Sequence, residues 1–167
     1  IDSILHDLKE LAKELNCLYK IQELLNQPDI TIAEICQGII EALPQGWQYP
    51  DICTAKIALQ GKVYQSRNFV NSDWSQSANI TVQEEVVGKV TVFYIDERPK
   101  ADEGPFLFEE RKLINTISEQ LGFYLLHQQL KEVFRKESKR KLKHKYECVT
   151  ILDMLKRTDP DLILRLS

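Results

Sequence analysis

The richest run of β-branched and aromatic residues in the chain is VVGKVTVFYI, residues 86–95. Such a composition is typical of a β-strand. Gly88 lies inside the run, where a residue without a side chain indicates a bulge or a close approach of another backbone. The segment therefore predicts one strand of a sheet.

Three further strand signals precede this run. Residues 52–59 and 62–69 flank the turn at Gln60-Gly61 and predict an antiparallel hairpin. After a polar loop over residues 70–76, residues 77–82 alternate polar and apolar side chains, which is the pattern of a half-buried strand. We expect the four strands to form one antiparallel sheet.

The first 25 residues predict an amphipathic helix with a heptad pattern. Its apolar residues recur at alternating gaps of three and four, and only Gln22 interrupts the series: Ile1, Ile4, Leu8, Leu11, Leu15, Leu18 and Leu25. A flanking series, Leu5, Ala12 and Tyr19, repeats every seven residues. We expect one face of this helix to pair with a second copy of the chain and another to pack on its own domain. The predicted dimer interface consists of Ile4, Leu8, Leu11, Leu15 and Leu18.

Two more helices are indicated on either side of the strands. Thr31 and Glu34 have the spacing of a capping box, and the helix they begin should close at Pro44. A long helix should begin within residues 105–110 and continue into the basic segment at residues 131–145. Residues 147–167 form another helix-like stretch, broken at Thr158-Asp159-Pro160, which we interpret as the start of a following region.

Composition limits the classes of protein that the chain can belong to. The 167 residues carry a net charge of −3 and 43% hydrophobic residues, which is typical of one globular domain. No apolar run approaches the roughly 20 residues of a membrane-spanning helix. A first residue other than Met, here Ile1, suggests a fragment of a longer protein.

The charge is unevenly distributed. Residues 131–145 hold eight Lys or Arg and two Glu, a local balance of +6, so the remainder carries −9. A basic run of this kind can bind nucleic acid or a membrane surface, but Phe134 is its sole aromatic residue and the chain as a whole is acidic. We interpret it as a solvated helix and predict neither nucleic-acid nor membrane binding.

Catalytic and metal-binding signatures are missing from the sequence. The four cysteines are widely spaced, without a CxxC pair, so we expect free thiols in a reducing cytoplasm and no zinc site. The three histidines lack a neighbouring catalytic pattern, and no glycine-rich phosphate loop is present. We therefore predict no catalytic residue, no metal and no cofactor in this chain.

Several short phrases resemble those of a GAF domain, a sensory module that binds small molecules or transmits conformational signals. They are ELNCLY at residues 14–19, WQYP at 47–50, WSQSA at 74–78, EGPFL at 103–107 and EER at 109–111. The resemblance covers roughly residues 10–130 and is to a subgroup found in bacterial sensor kinases and phosphoenolpyruvate synthase-like proteins. ILDMLKRTDPDL, residues 151–162, resembles the segment that leads into a phosphoenolpyruvate/pyruvate-binding region.

The resemblance implies an α+β (α/β layered) fold with a GAF/PAS-like antiparallel sheet, helices on one face and long N- and C-terminal helices. It divides the chain into an N-terminal coiled-coil-like helix (1–27), a sensory domain (28–130) and a basic helical linker with the start of a following region (131–167). The Asn-Lys-Phe-Asp motif of cyclic-nucleotide-binding members is absent, a bilin-binding cysteine cannot be placed, and the loop at 70–76 is too short for a lid over a large ligand.

Candidate ligand-binding residues are Trp47, Tyr49, Arg67 and Trp74. The three aromatic side chains lie in loops at the margin of the sheet, where they can line a pocket with Arg67 as an anion partner. The alternative is that the rings close the ends of the core. A cavity between the sheet and its covering loops would distinguish the two interpretations.

Three functional hypotheses follow. The first is a cytoplasmic regulatory domain that binds a small molecule or relays a signal through a helical homodimer to a kinase or phosphoenolpyruvate synthase-like phosphotransferase in the same protein. The second is a ligand-free dimerisation scaffold. The third, an enzyme acting on its own, has the least support from the residues.

Overall fold

The computed structural model describes the backbone of residues 2–158 and the side chains of residues 2–145. Within these limits the elements are α1 (Asp2–Leu25), α2 (Ile32–Ala42), β1 (Cys53–Leu59), β2 (Lys62–Gln65), β3 (Ser75–Val82), β4 (Glu85–Tyr94) and α3 (Phe108–Thr158). Two short 3-10 helices, Leu43–Gly46 and Pro50–Ile52, connect α2 to β1. Ile1 of the heptad series and the predicted break at Thr158-Asp159-Pro160 fall wholly or partly outside the described residues.

The four described strands form one sheet in the order β2-β1-β4-β3, and every neighbouring pair is antiparallel. The run that dominates the sequence analysis is therefore an interior strand, β4, paired with β1 on one side and β3 on the other. This arrangement confirms the prediction of a mixed α+β chain with an antiparallel sheet.

Gly88 interrupts the pairing of β4 with β3. Ile80 is opposite Gly88 but Thr81 is opposite Val86, so β4 has one extra residue at this point. A Cβ atom on Gly88 would overlap the carbonyl oxygen of Ala58 in β1. The predicted bulge and close backbone approach are both present, and they explain why glycine is needed here.

The second strand is shorter than the sequence predicts. β2 ends at Gln65, whereas the strand pattern continued to residue 69. Ser66 ends the strand, because its Oγ accepts a hydrogen bond from the Ala55 amide at 2.9 Å and the chain then turns back. Phe69 consequently packs edge-to-face on Phe93, with 5.2 Å between the ring centroids.

The capping box at the start of α2 forms as predicted. The Thr31 hydroxyl accepts a hydrogen bond from the Glu34 amide, and the Glu34 carboxylate accepts one from the Thr31 amide. The α-helix ends at Ala42, but the chain continues as a 3-10 helix because Pro44 is compatible with the first turn of such a helix.

The core lies between one face of the sheet and the helices. The strands contribute alternate residues, including Ile57, Ile80 and Val92, all fully buried. Helix α2 contributes Ile35, Ile39 and Ile40, and the first part of α3 contributes Leu113, Ile114, Ile117, Leu121 and Leu125. Strand alternation and helical periodicity thus place the apolar residues on the faces that meet.

The chain divides into two compact units, Ile1–Leu126 and His127–Ser167. The first unit holds the sheet, α1, α2 and the beginning of α3. In the second unit α3 continues through the basic segment, whose described side chains are almost all exposed. Arg135 forms an ion pair with Glu132, one helical turn earlier, at 2.7 Å. The helix predicted for residues 131–145 is present, and its side chains are almost all exposed.

Candidate functional site

The four side chains predicted to bind a ligand occupy different environments. Trp47 is fully buried in the core, Tyr49 and Trp74 are half-buried against it, and Arg67 is exposed. The cation that faces the Tyr49 ring is Arg98, with its Cζ 5.2 Å from the ring centroid. Trp47, at least, closes the core rather than lining an open pocket.

A chain of polar contacts leads from Trp47 to α3. The Trp47 indole donates a hydrogen bond to Gln76 Oε1 at 3.2 Å, and Gln76 Nε2 donates one to Glu103 at 2.7 Å. Glu103 in turn forms an ion pair with Arg111, which lowers the pKa of this carboxyl group. Gln76 is buried, so both ends of its amide need these partners. The network joins the loop after α2, the edge strand β3 and the first turn of α3.

Arg111 also binds the edge of the sheet. Its Nη1 donates a hydrogen bond to the backbone carbonyl of Ser77 in β3 at 2.6 Å. The guanidinium group thereby donates hydrogen bonds to the Glu103 carboxylate and to the Ser77 carbonyl, which has no strand partner at this edge of the sheet. This is the most direct polar link between β3 and α3.

Glu110 is a buried carboxyl group with a strongly perturbed pKa. Its side chain is 1% exposed and accepts hydrogen bonds from the backbone amides of Leu107 (2.8 Å) and Gln48 (2.7 Å) and, at 3.4 Å, from the Tyr94 hydroxyl. Burial raises the pKa of Glu110 to about 7, and the two amide donors only partly oppose this effect. The hydrogen bonds of Glu110 connect the start of α3 to the loop that contains Trp47 and Gln48.

A cleft of about 500 Å³ lies between the outer edge of β3 and the first part of α3. Its lining is polar and includes Asn79 of β3, Lys89 of β4, and Asn115, Ser118 and Glu119 of α3. Ser118 is 2% exposed, and its hydroxyl has no hydrogen-bond partner within the described part of the chain. A polar cleft with such a residue in its lining is a candidate small-molecule site.

The second candidate site is the apolar face of α1. The predicted interface residues Ile4, Leu8, Leu11 and Leu15 are all at least half exposed, and Leu18 is half-buried. The face that packs on the domain is formed by the buried Cys17 and Ile21 together with Leu18, Leu24 and Leu25, so the predicted interface residue Leu18 packs on the core of its own domain.

The flanking series Leu5, Ala12 and Tyr19 is exposed as well, so it does not form the face that packs on the domain. At about 100° per residue, Cys17 lies about 160° and Ile21 about 120° from Leu15 around the helix, so the exposed stripe and the face that packs on the domain are different sides of α1.

Other candidate groups have ordinary structural environments. Cys17, Cys36 and Cys53 are buried free thiols, and burial raises the pKa of Cys17 to about 12 and that of Cys36 to about 11. These thiols stay protonated near neutral pH and lack the reactivity of a thiolate. The histidines at positions 6, 127 and 144 are exposed.

The described residues provide neither a metal-binding cluster nor a membrane-spanning helix. They contain no group of three or more His, Cys, Asp or Glu side chains placed to hold a metal ion. Likewise, no helix in this part of the chain combines the length and the apolar character needed to cross a bilayer.

Sequence reasoning missed Glu110, Gln76 and Ser118. Glu110 reads as one of two acidic residues in the first turn of a helix, and only tertiary structure shows that it points inward while Glu109 is exposed. Ser118 carried a signal that could have been used, because it lies four residues after Ile114 on the apolar face. A polar residue at such a position indicates either a buried hydrogen bond or a cavity. Comparison of the chain with protein-family models, curated proteins and solved structures found no significant match.

Proposed function

We propose that this chain is a GAF-like regulatory module of a larger signalling or phosphotransfer protein, acting in the cytoplasm as a homodimer paired through its helices. A ligand or partner acts on the sheet and its loops, and α3 carries the change onward. The resemblance of residues 10–130 to a GAF domain and of residues 151–162 to the approach to a phosphoenolpyruvate/pyruvate-binding region supports this proposal.

The observation that carries the proposal is the exposed apolar face of α1. Four branched aliphatic side chains on one heptad stripe are at least half exposed, although the same helix already buries its other face. A contiguous apolar stripe of this kind favours an interaction surface. The heptad spacing matches a second helix of the same type, so a second copy of the chain is the simplest partner.

The polar network supports the relay. Arg111 and Glu110 lie in the first turns of α3 and contact Ser77 in β3 and Gln48 in the loop after α2, respectively. A shift at the edge of the sheet therefore changes hydrogen bonds made by α3 itself. Two-state regulation needs such contacts, because a ligand can bias a helix only through interactions that differ between its two positions.

A ligand-free scaffold is the second candidate function. It is favoured by the filled interior, in which Trp47, Tyr94 and Phe106 are fully buried and the last two rings stack at 4.7 Å. In this case α1 and α3 hold two copies together and the sheet only supports them. Saturable binding of a small molecule would favour the regulatory module over the ligand-free scaffold.

The double substitution Leu11→Lys with Leu15→Lys tests the dimer. These leucines are 50% and 58% exposed, so dimerisation can still bury about half of each side chain. Half of the ~1.5–3 kcal/mol for a fully buried leucine, over four leucines in a dimer, amounts to about 3–6 kcal/mol. Dimer affinity should therefore fall by about two to four orders of magnitude, measured by sedimentation velocity over a concentration series.

The matched control is Ser3→Lys with Asn16→Lys, which adds two lysines at exposed positions of α1 outside the stripe. This variant should remain dimeric, and circular dichroism should show native helix content in both variants. A native chain that sediments as a monomer at high concentration would overturn the proposal. So would a Leu11/Leu15 variant that dimerises as well as the control.

A further inference from the structure

The cleft between β3 and α3 carries charges that are not neutralised by any ion pair in the described part of the chain. Lys89 and Glu119 both line it, and neither has an ion-pair partner among the described residues. Arg111 also lines the cleft, but its guanidinium group is occupied by Glu103 and by the Ser77 carbonyl. The free charges of the cleft are thus one ammonium and one carboxylate.

We propose that this cleft binds a small zwitterionic solute that has both a carboxylate and an ammonium group, with the size of a free α-amino acid. Lys89 is the partner of the ligand carboxylate, and Glu119 is the partner of its ammonium group. The proposal rests on the sensory role proposed above, because it names the class of molecule that the module would sense.

Opposite unpaired charges in one cleft favour a zwitterion over a simple anion. An anion bound near Lys89 would also meet the negative charge of Glu119, whereas a molecule with both charges satisfies both side chains. Charge-assisted hydrogen bonds to the two ends also orient the ligand. A single-charge ligand gains one such interaction and leaves the other side chain without a partner.

The rest of the lining supplies the hydrogen bonds that a small polar molecule needs. Ser118 lines the cleft and its hydroxyl has no partner among the described residues, so a rotation of this side chain towards the cleft would let it donate to a ligand oxygen. Asn115 Oδ1 accepts a hydrogen bond from Arg111 Nη1 at 3.4 Å, so this side chain offers its amide nitrogen as a donor to a ligand. The backbone carbonyl of Ser77 points away from the sheet, towards Arg111. Asn79 is two residues further along the same edge strand, so its backbone amide and carbonyl point away from the sheet on the same side.

The shape of the cleft sets the expected affinity. Its volume of about 500 Å³ exceeds that of a small amino acid, and Lys89, Asn115 and Glu119 are exposed to solvent. Charge pairs at exposed positions are weakened by water and salt. We therefore expect millimolar binding, which becomes weaker as the salt concentration rises.

Binding at this position would act on the proposed relay. The ligand would bridge β4 through Lys89 and α3 through Glu119, next to the contact between Arg111 and Ser77. Occupancy would thus hold α3 against the edge of the sheet in one position. A ligand shifts the population of two positions of α3 only if it binds one position more tightly than the other.

The test is an NMR titration of the full 167-residue chain, labelled with nitrogen-15, against a mixture of the common L-amino acids. The best member is then compared with its N-acetyl and its amide derivatives, which lack the ammonium and the carboxylate charge, respectively. We expect saturable shifts at the amides of Asn79, Asn115 and Ser118. Each derivative should bind at least about tenfold more weakly than the amino acid.

Charge-removing variants make the test specific. Lys89→Gln and Glu119→Gln should each weaken binding by about tenfold or more. The controls, Lys62→Gln and Glu85→Gln, remove the same charges at exposed strand positions that do not line the cleft, and they should bind like the parent chain. The spectra themselves show whether each variant is folded.

Three results would overturn the inference: no saturable shift up to tens of millimolar, saturable shifts confined to another surface, or equally tight binding of the derivatives. Sedimentation of the same samples separates this outcome from the proposed function. A dimer that binds no amino acid leaves the dimeric module in place without this ligand. A monomer that binds one overturns the dimer and supports the cleft.

Discussion

Glu110 should make the stability of the domain depend on pH in the direction opposite to that of an ordinary salt-bridged carboxylate. Burial raises its pKa from 4.5 to about 7, so the folded state favours the protonated side chain. Between these two values the folded chain holds a proton that the unfolded chain has released. The free energy of unfolding should therefore fall as the pH rises from about 4.5 to about 7, and level off above that.

The size of the effect follows from the same two values. At ~1.4 kcal/mol per pH unit, the interval between 4.5 and about 7 corresponds to about 3 kcal/mol of unfolding free energy. Burial also raises the pKa of Glu14, which acts in the same direction. The ion pair with Arg111 lowers the pKa of Glu103, so this group adds stability above the acidic range and loses it as the pH falls.

The assay is urea unfolding at several values from about pH 5 to about pH 8, for the parent chain and for Glu110→Gln. The variant cannot titrate at this position, so its stability should change less with pH. The substitution also lowers the unfolding free energy by an amount that does not vary with pH. The carboxylate accepts hydrogen bonds from two backbone amides, and the NH2 group of the glutamine would have to face one of them without accepting a hydrogen bond.

Glu109→Gln is the matched control, since it removes an exposed carboxylate one residue earlier in α3 and leaves Glu110 in place. It should keep the pH dependence of the parent chain. The reasoning is refuted if Glu110→Gln and the parent chain lose stability equally over this pH range, because another group would then be responsible.

Two further substitutions test the packing and capping of the helices. Gly122→Ala places a Cβ atom against the Thr81 carbonyl oxygen and should lower the unfolding free energy by ~1–3 kcal/mol in urea titrations; an unchanged midpoint would show that α3 is not held this closely. Thr31→Ala removes the hydroxyl of the capping box and should cost ~1 kcal/mol, while Thr31→Ser should retain most of it; equal losses in the two variants would contradict a role for the hydroxyl.

The fold was predictable wherever the pattern along the chain determines the structure. The strand β4, its bulge at Gly88 and the capping box of Thr31 and Glu34 depend on residues close in sequence, and all three formed as expected. The end of β2 was not predictable in this way. It depends on Ser66 bonding to Ala55 and on Phe69 packing against Phe93, which only the folded sheet brings together.

The candidate sites were predictable to different degrees. The α1 stripe is a local repeat, so the sequence locates its residues even though the pairing itself stays a prediction. The face that packs on the domain could not be assigned, because it shares Leu18 and Leu25 with the heptad series and its remaining residues, Cys17, Ile21 and Leu24, do not stand out beside that series. The cleft combines Lys89 of β4 with Glu119 of α3, and no spacing in the sequence relates these two residues.

The contact between Arg111 and the Ser77 carbonyl has a consequence for how the protein avoids self-association through its sheet. An exposed edge strand invites pairing with a strand from another molecule, which leads to aggregation. At β3 the guanidinium group occupies a carbonyl that an incoming strand would need, and Gly122 brings α3 within contact of Thr81 further along. The other edge, β2, has only four residues, too short a template for stable strand addition. Arg111 therefore also removes one of the edge carbonyls that strand addition to β3 would require.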